Sequence, residues 1–548
     1  MGNGLAIKHK KRKDTPQMKK FLSLLLAGAL ALSLVACVGD KPAADQGSKG
    51  KSPDNDLVVA LQADATNLDP HIGGNGNTNQ VVNEMYEALV AFDENTKIVP
   101  ALAKSWSVSE DGMSYTFVLE EGVTFHDGEP FNAETIKAVY ERGRANPSLS
   151  LSRQIGTKEK PNWDEVIVDS EYQVTIKLVK PNNTFLNKLT QVRMVSPKAM
   201  AREDAEDYLA KNSAGTGPYV LSERVDGAYT KMVRNENYWR EGPKVDSLKF
   251  VVVPEDASRI AMLKTGEADF ITPVPVTDVK QFDGSSDVKV VESVATIFRY
   301  CTLNTGYTLA DGRKPFADKR VRQAMNYAFD SEAYANVVFF GYGVEPTSVY
   351  SEALSYHHKM TPYKKDLEKA KSLMKEAGFE SGFPVELVVD NTTIEQRGAE
   401  FLKQQLSEIN IDVKLLPNES TANAEITSAP QEETKVQMWY VNWSSGSYDA
   451  DGAMRSILHG DKFPPAGYNT AFWKNEEFDK LLDDALLMTD TAEIEKAYAR
   501  AQEIAWEECP WVFLGSDCNV YAQKTYLDGV VKFPGGTVGF RTASLDHE

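Results

Sequence analysis

Residues 366–415 read DLEKAKSLMKEAGFESGFPVELVVDNTTIEQRGAEFLKQQLSEINIDVKL, and their rhythm decides the fold class. Leu367, Ala370, Met374 and Ala377 recur at helical spacing, and Gly378 stops the run. Val385-Glu386-Leu387-Val388-Val389 is a short strand. Thr393 to Ile409 returns to the helical period, with Ala399, Leu402, Leu406 and Ile409 on one face. Ile411-Asp412-Val413-Lys414-Leu415 is the next strand. Helix, strand, helix, strand with short links is the pattern of a parallel α/β unit, because parallel neighbours need a crossover between them.

Outward from this unit the rhythm changes. Strand signals dominate from Leu57 to about Val253. Leu57-Val58-Val59-Ala60-Leu61 is a short apolar run, and Tyr115–Leu119 and Gln173–Leu178 alternate as half-buried strands do. Short helices fall between them, as over Ala133–Arg142, and a helix is expected around Gln80–Leu89. On the C-terminal side a strand at Met438–Val441 precedes helices near Glu476–Leu487 and Ala492–Glu508. The chain then returns to short strands, Trp511–Leu514 and Asn519–Ala522. A chain that leaves a first lobe, builds a second and comes back crosses twice, and two crossings make a hinge. The expected division is a first lobe of 56–300 plus 515–548, with a small subdomain inside it, and a second α/β lobe of 301–514.

Composition agrees with a large globular chain. At 548 residues it exceeds one ordinary domain, and 42% hydrophobic with 25% charged residues excludes wholesale disorder or a coiled-coil rod. The net charge is −19, and the body is more acidic still, since Lys8, Lys10, Lys11, Arg12, Lys13, Lys19 and Lys20 at the N-terminus face only Asp14. Such a body repels phosphate backbones, so nucleic acid is a poor partner.

The N-terminus reads as an address. Met18-Lys19-Lys20 precedes an uncharged apolar run from Phe21 to Ala36, the length of a secretory signal rather than a membrane span. Residues 1–36 are therefore expected to be a signal peptide, with Met18 the better start. Leu34-Val35-Ala36-Cys37 resembles the bacterial lipoprotein signal, which implies cleavage before Cys37 and lipid on that residue. Residues 37–55, rich in Lys, Asp, Gly, Ser and Pro, read as a flexible lipidated tether. Cys301, Cys509 and Cys518 remain, an odd number that allows at most one internal disulfide. No CxxC pair, GxSxG elbow, HExxH or P-loop is present, so the sequence offers no catalytic centre and calls for no cofactor or metal.

The motifs fall in an order that identifies a family. Asn67-Leu68-Asp69-Pro70, Leu102-Ala103-Lys104-Ser105-Trp106 followed by Asp111-Gly112, and Phe125-His126-Asp127-Gly128 come first. Gly215-Thr216-Gly217-Pro218-Tyr219, Asn237-Tyr238-Trp239, Thr265-Gly266-Glu267-Ala268-Asp269 and the Phe316–Met325 stretch FADKRVRQAM follow. Over about residues 55–540 the chain resembles the peptide/nickel (family 5) solute-binding proteins of ABC importers. Arg299-Tyr300, Phe270-Ile271-Thr272-Pro273-Val274-Pro275, and Pro464-Pro465 with Asn469-Thr470-Ala471-Phe472 are similar to the glutathione-binding branch. The resemblance implies a two-lobed periplasmic-binding-protein type II fold of α/β class that closes on one ligand at a hinge. It also implies an extracytoplasmic, membrane-anchored monomer that delivers a glutathione-like peptide to an ABC permease and ATPase complex.

The candidate ligand contacts follow. Trp443, Ser444, Ser445 and Gly446 lie where a strand runs into a loop of small residues, which can present an aromatic face and free N–H groups. In the family's peptide receptors an aspartate three residues after this tryptophan meets the ligand amine; here that position is Gly446. Asp449 or Asp451 could supply a carboxylate, or cap the segment that follows. Thr393 with Gln396 fits a capping box, and Arg397 in the first turns is the residue type the family places against a ligand carboxylate. Arg299 and Tyr300 stand at the expected crossing, Arg299 as a ligand contact or an ion pair between lobes. The turn around Asn75, Gly76 and Asn77 offers N–H donors from the first lobe. His357-His358 reads as a polar loop, since adjacent histidines diverge and no third ligand is spaced for a metal. Other readings are a di- or oligopeptide or metal-chelate receptor of the same family, or a surface signalling or chaperone-like protein.

Overall fold

A computed structural model describes residues 55–533 and 535–546. The signal sequence, Cys37 and nearly all of the tether lie outside the described residues. The centre of the structure is one mixed sheet. Its strands run in the order Ile411–Asn418, Phe383–Asp390, Met438–Trp443, Val288–Leu303, Trp511–Lys524, Phe270–Thr272, Asp56–Leu61, Ser247–Val252, Tyr229–Arg234 and Tyr219–Val225. Phe383–Asp390 pairs in parallel with both Ile411–Asn418 and Met438–Trp443, as the helix–strand rhythm predicts.

Two long antiparallel strands join the halves of this sheet. Val288–Leu303 and Trp511–Lys524 stay paired from Val288 opposite Lys524 to Thr302 opposite Trp511. Their ladder slips between Val294 and Phe298 and again between Arg299 and Tyr300. The apolar cores separate at the same place. On one side Leu57, Phe250, Phe270 and Tyr521 pack together, with Ala60, Ile271 and Val520 on the opposite sheet face. On the other side Cys301, Leu387, Leu402 and Met438 form one core, and Phe298, Tyr300, Met454 and Trp511 a second. A separate antiparallel sheet of Ala103–Val108, Ser114–Leu119, Gln173–Leu178 and Trp163–Ser170 builds the small subdomain over its own core of Phe117, Ile136 and Val174. The two-lobed α/β architecture is therefore present, with both lobes sharing one sheet.

Several elements differ from the sequence expectation. The short strands expected at Trp511–Leu514 and Asn519–Ala522 are one strand of 14 residues; Gly515, with φ 130°, carries the chain through the polar middle that looked like a break. The helix expected at Gln80–Leu89 runs instead over Gly76–Val82, because Asn75 caps it by accepting from the Thr78 N–H at 3.0 Å. The helix Thr393–Ser407 is capped one residue earlier than the Thr393–Gln396 reading, by Thr392; this puts Glu395 at the third helical position, where its side chain turns to Arg299 rather than back to the cap. Cys301, Cys509 and Cys518 are all free thiols. Burial pushes the Cys509 thiol up to about 12 and Cys518 to about 11, so neither is a reactive thiolate.

The family motifs prove to be scaffold. Glu87 accepts from Thr216 Oγ1, Tyr238 OH and Trp239 Nε1, each at 2.9 Å, and from Arg240 Nη2 at 3.4 Å. Gly215 and Gly217 lie so close to the Met85 backbone that a Cβ at either would overlap it. Buried Asp69 pairs with Arg142, and Arg322 bonds Glu508 at 3.0 Å and the Phe316 carbonyl at 2.9 Å.

Arg299 ties the crossing together. Its Nε and Nη2 donate to Asp517 Oδ1 and Oδ2 at 2.6 and 2.8 Å, across the two long strands. Its Nη1 donates to Glu395 Oε1 at 2.6 Å, in the first turn of the Thr393–Ser407 helix. The guanidinium also lies 5.2 Å from the Phe339 ring centroid. Arg299 is 6% exposed, so these charges are paired in low dielectric and removing the cation strands two carboxylates. Arg299→Met should lower unfolding stability by about 3–5 kcal/mol in denaturant titration. A loss under about 1 kcal/mol would show that the triad does not hold the crossing.

Candidate ligand cleft

The strand Met438–Trp443 runs into the loop of small residues that begins at Ser444. Trp443 donates from Nε1 to the Gly452 carbonyl at 3.2 Å, and its half-buried ring lies 5.5 Å from that of Tyr468. Ser444 Oγ is 2.6 Å from Thr296 Oγ1 on the long strand, which fixes the loop to the crossing. Ser445 is buried. Gly446 is exposed, and no heavy atom lies within 4 Å of where a Cβ would stand. Its carbonyl accepts from Gln191 Nε2, a contact between the two lobes.

Both candidate aspartates are engaged within the second lobe. Asp449 caps the Ala450–Leu458 helix by accepting from the Gly452 N–H at 2.7 Å, and its other oxygen accepts from Ser447 Oγ. Asp451 accepts from Arg455 Nε at 2.9 and 3.0 Å, yet burial outweighs that partner and raises its pKa. The structure thus gives Asp449 the capping role rather than a free carboxylate. Arg299 spends its donors on Asp517 and Glu395. Tyr300 turns its ring into the core, stacked 4.0 Å from Trp511 and 2% exposed.

Arg397 is not brought to this loop. It lies two residues beyond Glu395, about 200° round the helix axis. Its guanidinium lies 5.1 Å from the Phe340 ring centroid, and Nη1 reaches the Val338 carbonyl at 3.5 Å. It lines a shallow surface pocket with Val337, Phe401 and Gln404.

On the first lobe the capped turn of Asn75, Gly76 and Asn77 leaves Asn75 and Gly76 exposed. Behind it Gln80 exchanges two hydrogen bonds with Val538, at 2.6 and 2.8 Å. Glu84 accepts from the Phe540 N–H at 3.1 Å, and burial pushes its carboxyl up to about 8, so it is largely protonated at neutral pH. These bonds hold the C-terminal segment beside the turn.

Two residues of the cleft were outside the sequence reading. Tyr448 stands in the left-handed region at φ 53°; its N–H donates to Ser445 O at 3.1 Å, and its carbonyl accepts from the Ser355 N–H and Oγ at 3.2 and 2.9 Å. That clamp sends its ring edge-on against Phe92 of the first lobe, centroids 5.1 Å apart. Gln191 was missed because nothing local marks it; only the fold puts it opposite Gly446.

Among the described residues, no group of three or more His, Cys, Asp or Glu is placed to hold a metal ion. His357 Nε2 meets Thr347 Oγ1 at 3.0 Å, and His358 lies 3.4 Å from Glu503. Nor is any helix among those residues long and apolar enough to cross a membrane.

Two lobes on a shared sheet are the architecture of a capture protein, and comparison with known proteins agrees. The family described as "Bacterial extracellular solute-binding proteins, family 5 Middle" matches residues 97–464. The glutathione-binding proteins GsiB of Pectobacterium atrosepticum and Salmonella typhi are each 32% identical over 495 residues, covering 89% of this chain and 94% of the relative. The structure of HbpA2 from Haemophilus parasuis is 25% identical with a TM-score of 0.80, covering 89% of this chain and 99% of the other. The periplasmic binding protein DppA of Helicobacter pylori, solved with the peptide STSA, is 25% identical with a TM-score of 0.68, covering 90% and 98%. The chain belongs to the family 5 bacterial extracellular solute-binding proteins, the binding components of ABC importers.

Proposed function

We propose that this chain is a lipid-anchored extracytoplasmic receptor that captures glutathione or a similar short peptide and delivers it to an ABC importer. Capture is by closure of a first lobe, 56–300 with 515–548, on a second, 301–514, about the two crossing strands. Trp443, Ser444, Ser445 and Gly446, faced by the Asn75–Asn77 turn, form the ligand-facing surface.

Gly446 is the observation that carries this reading. A receptor for ordinary dipeptides must balance the ligand ammonium, because burying that charge unpaired is strongly unfavourable. At Gly446 there is open space and no carboxylate, and the nearby Asp449 has both oxygens engaged. A longer or differently branched N-terminal residue, such as a γ-linked glutamate, suits that space. The GsiB relatives, named for glutathione binding, support the same ligand. The peptide held by the DppA relative supports oligopeptides as the second reading.

Calorimetry should show glutathione binding at least tenfold more tightly than Ala-Ala or Gly-Gly, about 1.4 kcal/mol. Gly446→Asp should shift preference toward dipeptides, since the new side chain enters open space and supplies a counter-charge. Equal or tighter binding of plain dipeptides by the unmodified protein would overturn the glutathione reading. The anchor has its own test. Cys37→Ser should leave the protein unprocessed or released from membranes, because stable anchoring needs more than one acyl chain. Unchanged membrane partitioning with cleavage at the same site would remove the lipoprotein reading.

A further inference from the structure

Among the described residues, Arg193 is a first-lobe cation with no carboxylate paired to it. Its Nη1 donates to the Thr190 carbonyl at 2.6 Å and its Nη2 to Asn83 Oδ1 at 2.8 Å, both neutral acceptors. The acid near it, Glu87, already accepts from Thr216, Tyr238, Trp239 and Arg240. Burial lowers the Arg193 pKa, as expected of a cation held with little compensation.

The position of this cation is set by its neighbours. Gln191, two residues earlier, donates to the Gly446 carbonyl, so the segment carrying Arg193 faces the second-lobe loop. From that loop Tyr448 reaches across to Phe92, and its phenol, kept neutral by burial, is a neighbour of Arg193. The C-terminal segment accommodates the phenol at Gly535, where a Cβ would overlap the Tyr448 hydroxyl. Holding a tyrosine at φ 53° has a conformational cost, which the bonds to Ser445 and Ser355 offset.

We propose that Arg193 and Tyr448 form a carboxylate-binding subsite of the cleft, one group from each lobe, that takes the α-carboxylate of a γ-glutamyl ligand end. This rests on the glutathione reading above and deepens it. The guanidinium offers a fork of donors that suits a carboxylate, and the phenol adds an O–H donor from the other side. The cation is thus held by neutral groups, while the loop's own carboxylate, Asp449, is already engaged by Ser447 and the Gly452 N–H. A γ-linked glutamate carries an α-carboxylate on the same carbon as its ammonium, so it brings its own counter-charge and offers an anion to the guanidinium; an ordinary dipeptide has the ammonium alone at this end. The subsite explains how the missing acid becomes a preference rather than a defect.

The test is a cycle of two ligands and two proteins, read by calorimetry. The ligands are glutathione and 4-aminobutanoyl-Cys-Gly, which lacks only the α-carboxylate of the first residue. The unmodified protein should bind the analogue about thirty-fold or more weakly than glutathione. Arg193→Gln should lose a similar factor for glutathione and show little discrimination between the two ligands. Arg193→Lys, which keeps the charge but not the fork, should retain the discrimination in reduced form, and it stands in if the glutamine variant fails to fold. Tyr448→Phe should weaken glutathione and leave the analogue nearly unchanged. If the unmodified protein binds glutathione but Arg193→Gln, or Arg193→Lys in its place, discriminates the ligands as well as the parent, the subsite is wrong while the receptor reading stands. If the unmodified protein does not bind glutathione, both fall.

Discussion

The ion triad of Arg299 with Asp517 and Glu395 is the constraint on which the rest of the structure depends. The two strands that pass between the lobes lose their regular register between Val294 and Phe298. A slipped ladder forfeits regular hydrogen bonds, and the bidentate bond from Arg299 to Asp517 re-links the strands there. The third contact, to Glu395, anchors the crossing to the helix that covers the second-lobe sheet. Closure of a solute-binding protein needs strands that bend without separating, and a buried charge network beside an irregular ladder meets both demands.

From that crossing the cleft follows step by step. Thr296, within the slipped stretch, contacts Ser444, so the binding loop is attached to the crossing itself. Asp449 closes the other end of the loop by capping the next helix. Between these fixed ends Gly446 lies open and Tyr448 projects toward the first lobe. The loop offers open space at Gly446, and its own carboxylate at Asp449 is spent on Ser447 and the Gly452 N–H.

The fold was legible because period and order are properties of local sequence. Residues 366–415 announced a parallel α/β unit, and the structure pairs Phe383–Asp390 with Ile411–Asn418 as that pattern requires. The family motifs were legible for a different reason: Thr216, Tyr238 and Trp239 converge on Glu87, and glycines permit the close approach. What sequence could not show was which side of an element faces the cleft. Arg397 has the expected residue type but lies on the helix face turned from Glu395, over Phe340. Tyr300 adjoins Arg299, yet strand alternation buries its ring against Trp511. Gln191 and Arg193 had no local signature, since their meaning comes from a segment more than 250 residues away in the chain.

The account stands on closure of two lobes about strands held by Arg299. Small-angle scattering on the anchor-free protein, with and without saturating glutathione, measures this most directly. Closure about these strands gives a smaller radius of gyration in the liganded sample. Identical scattering profiles, with calorimetry showing the ligand bound in the same preparation, would contradict it.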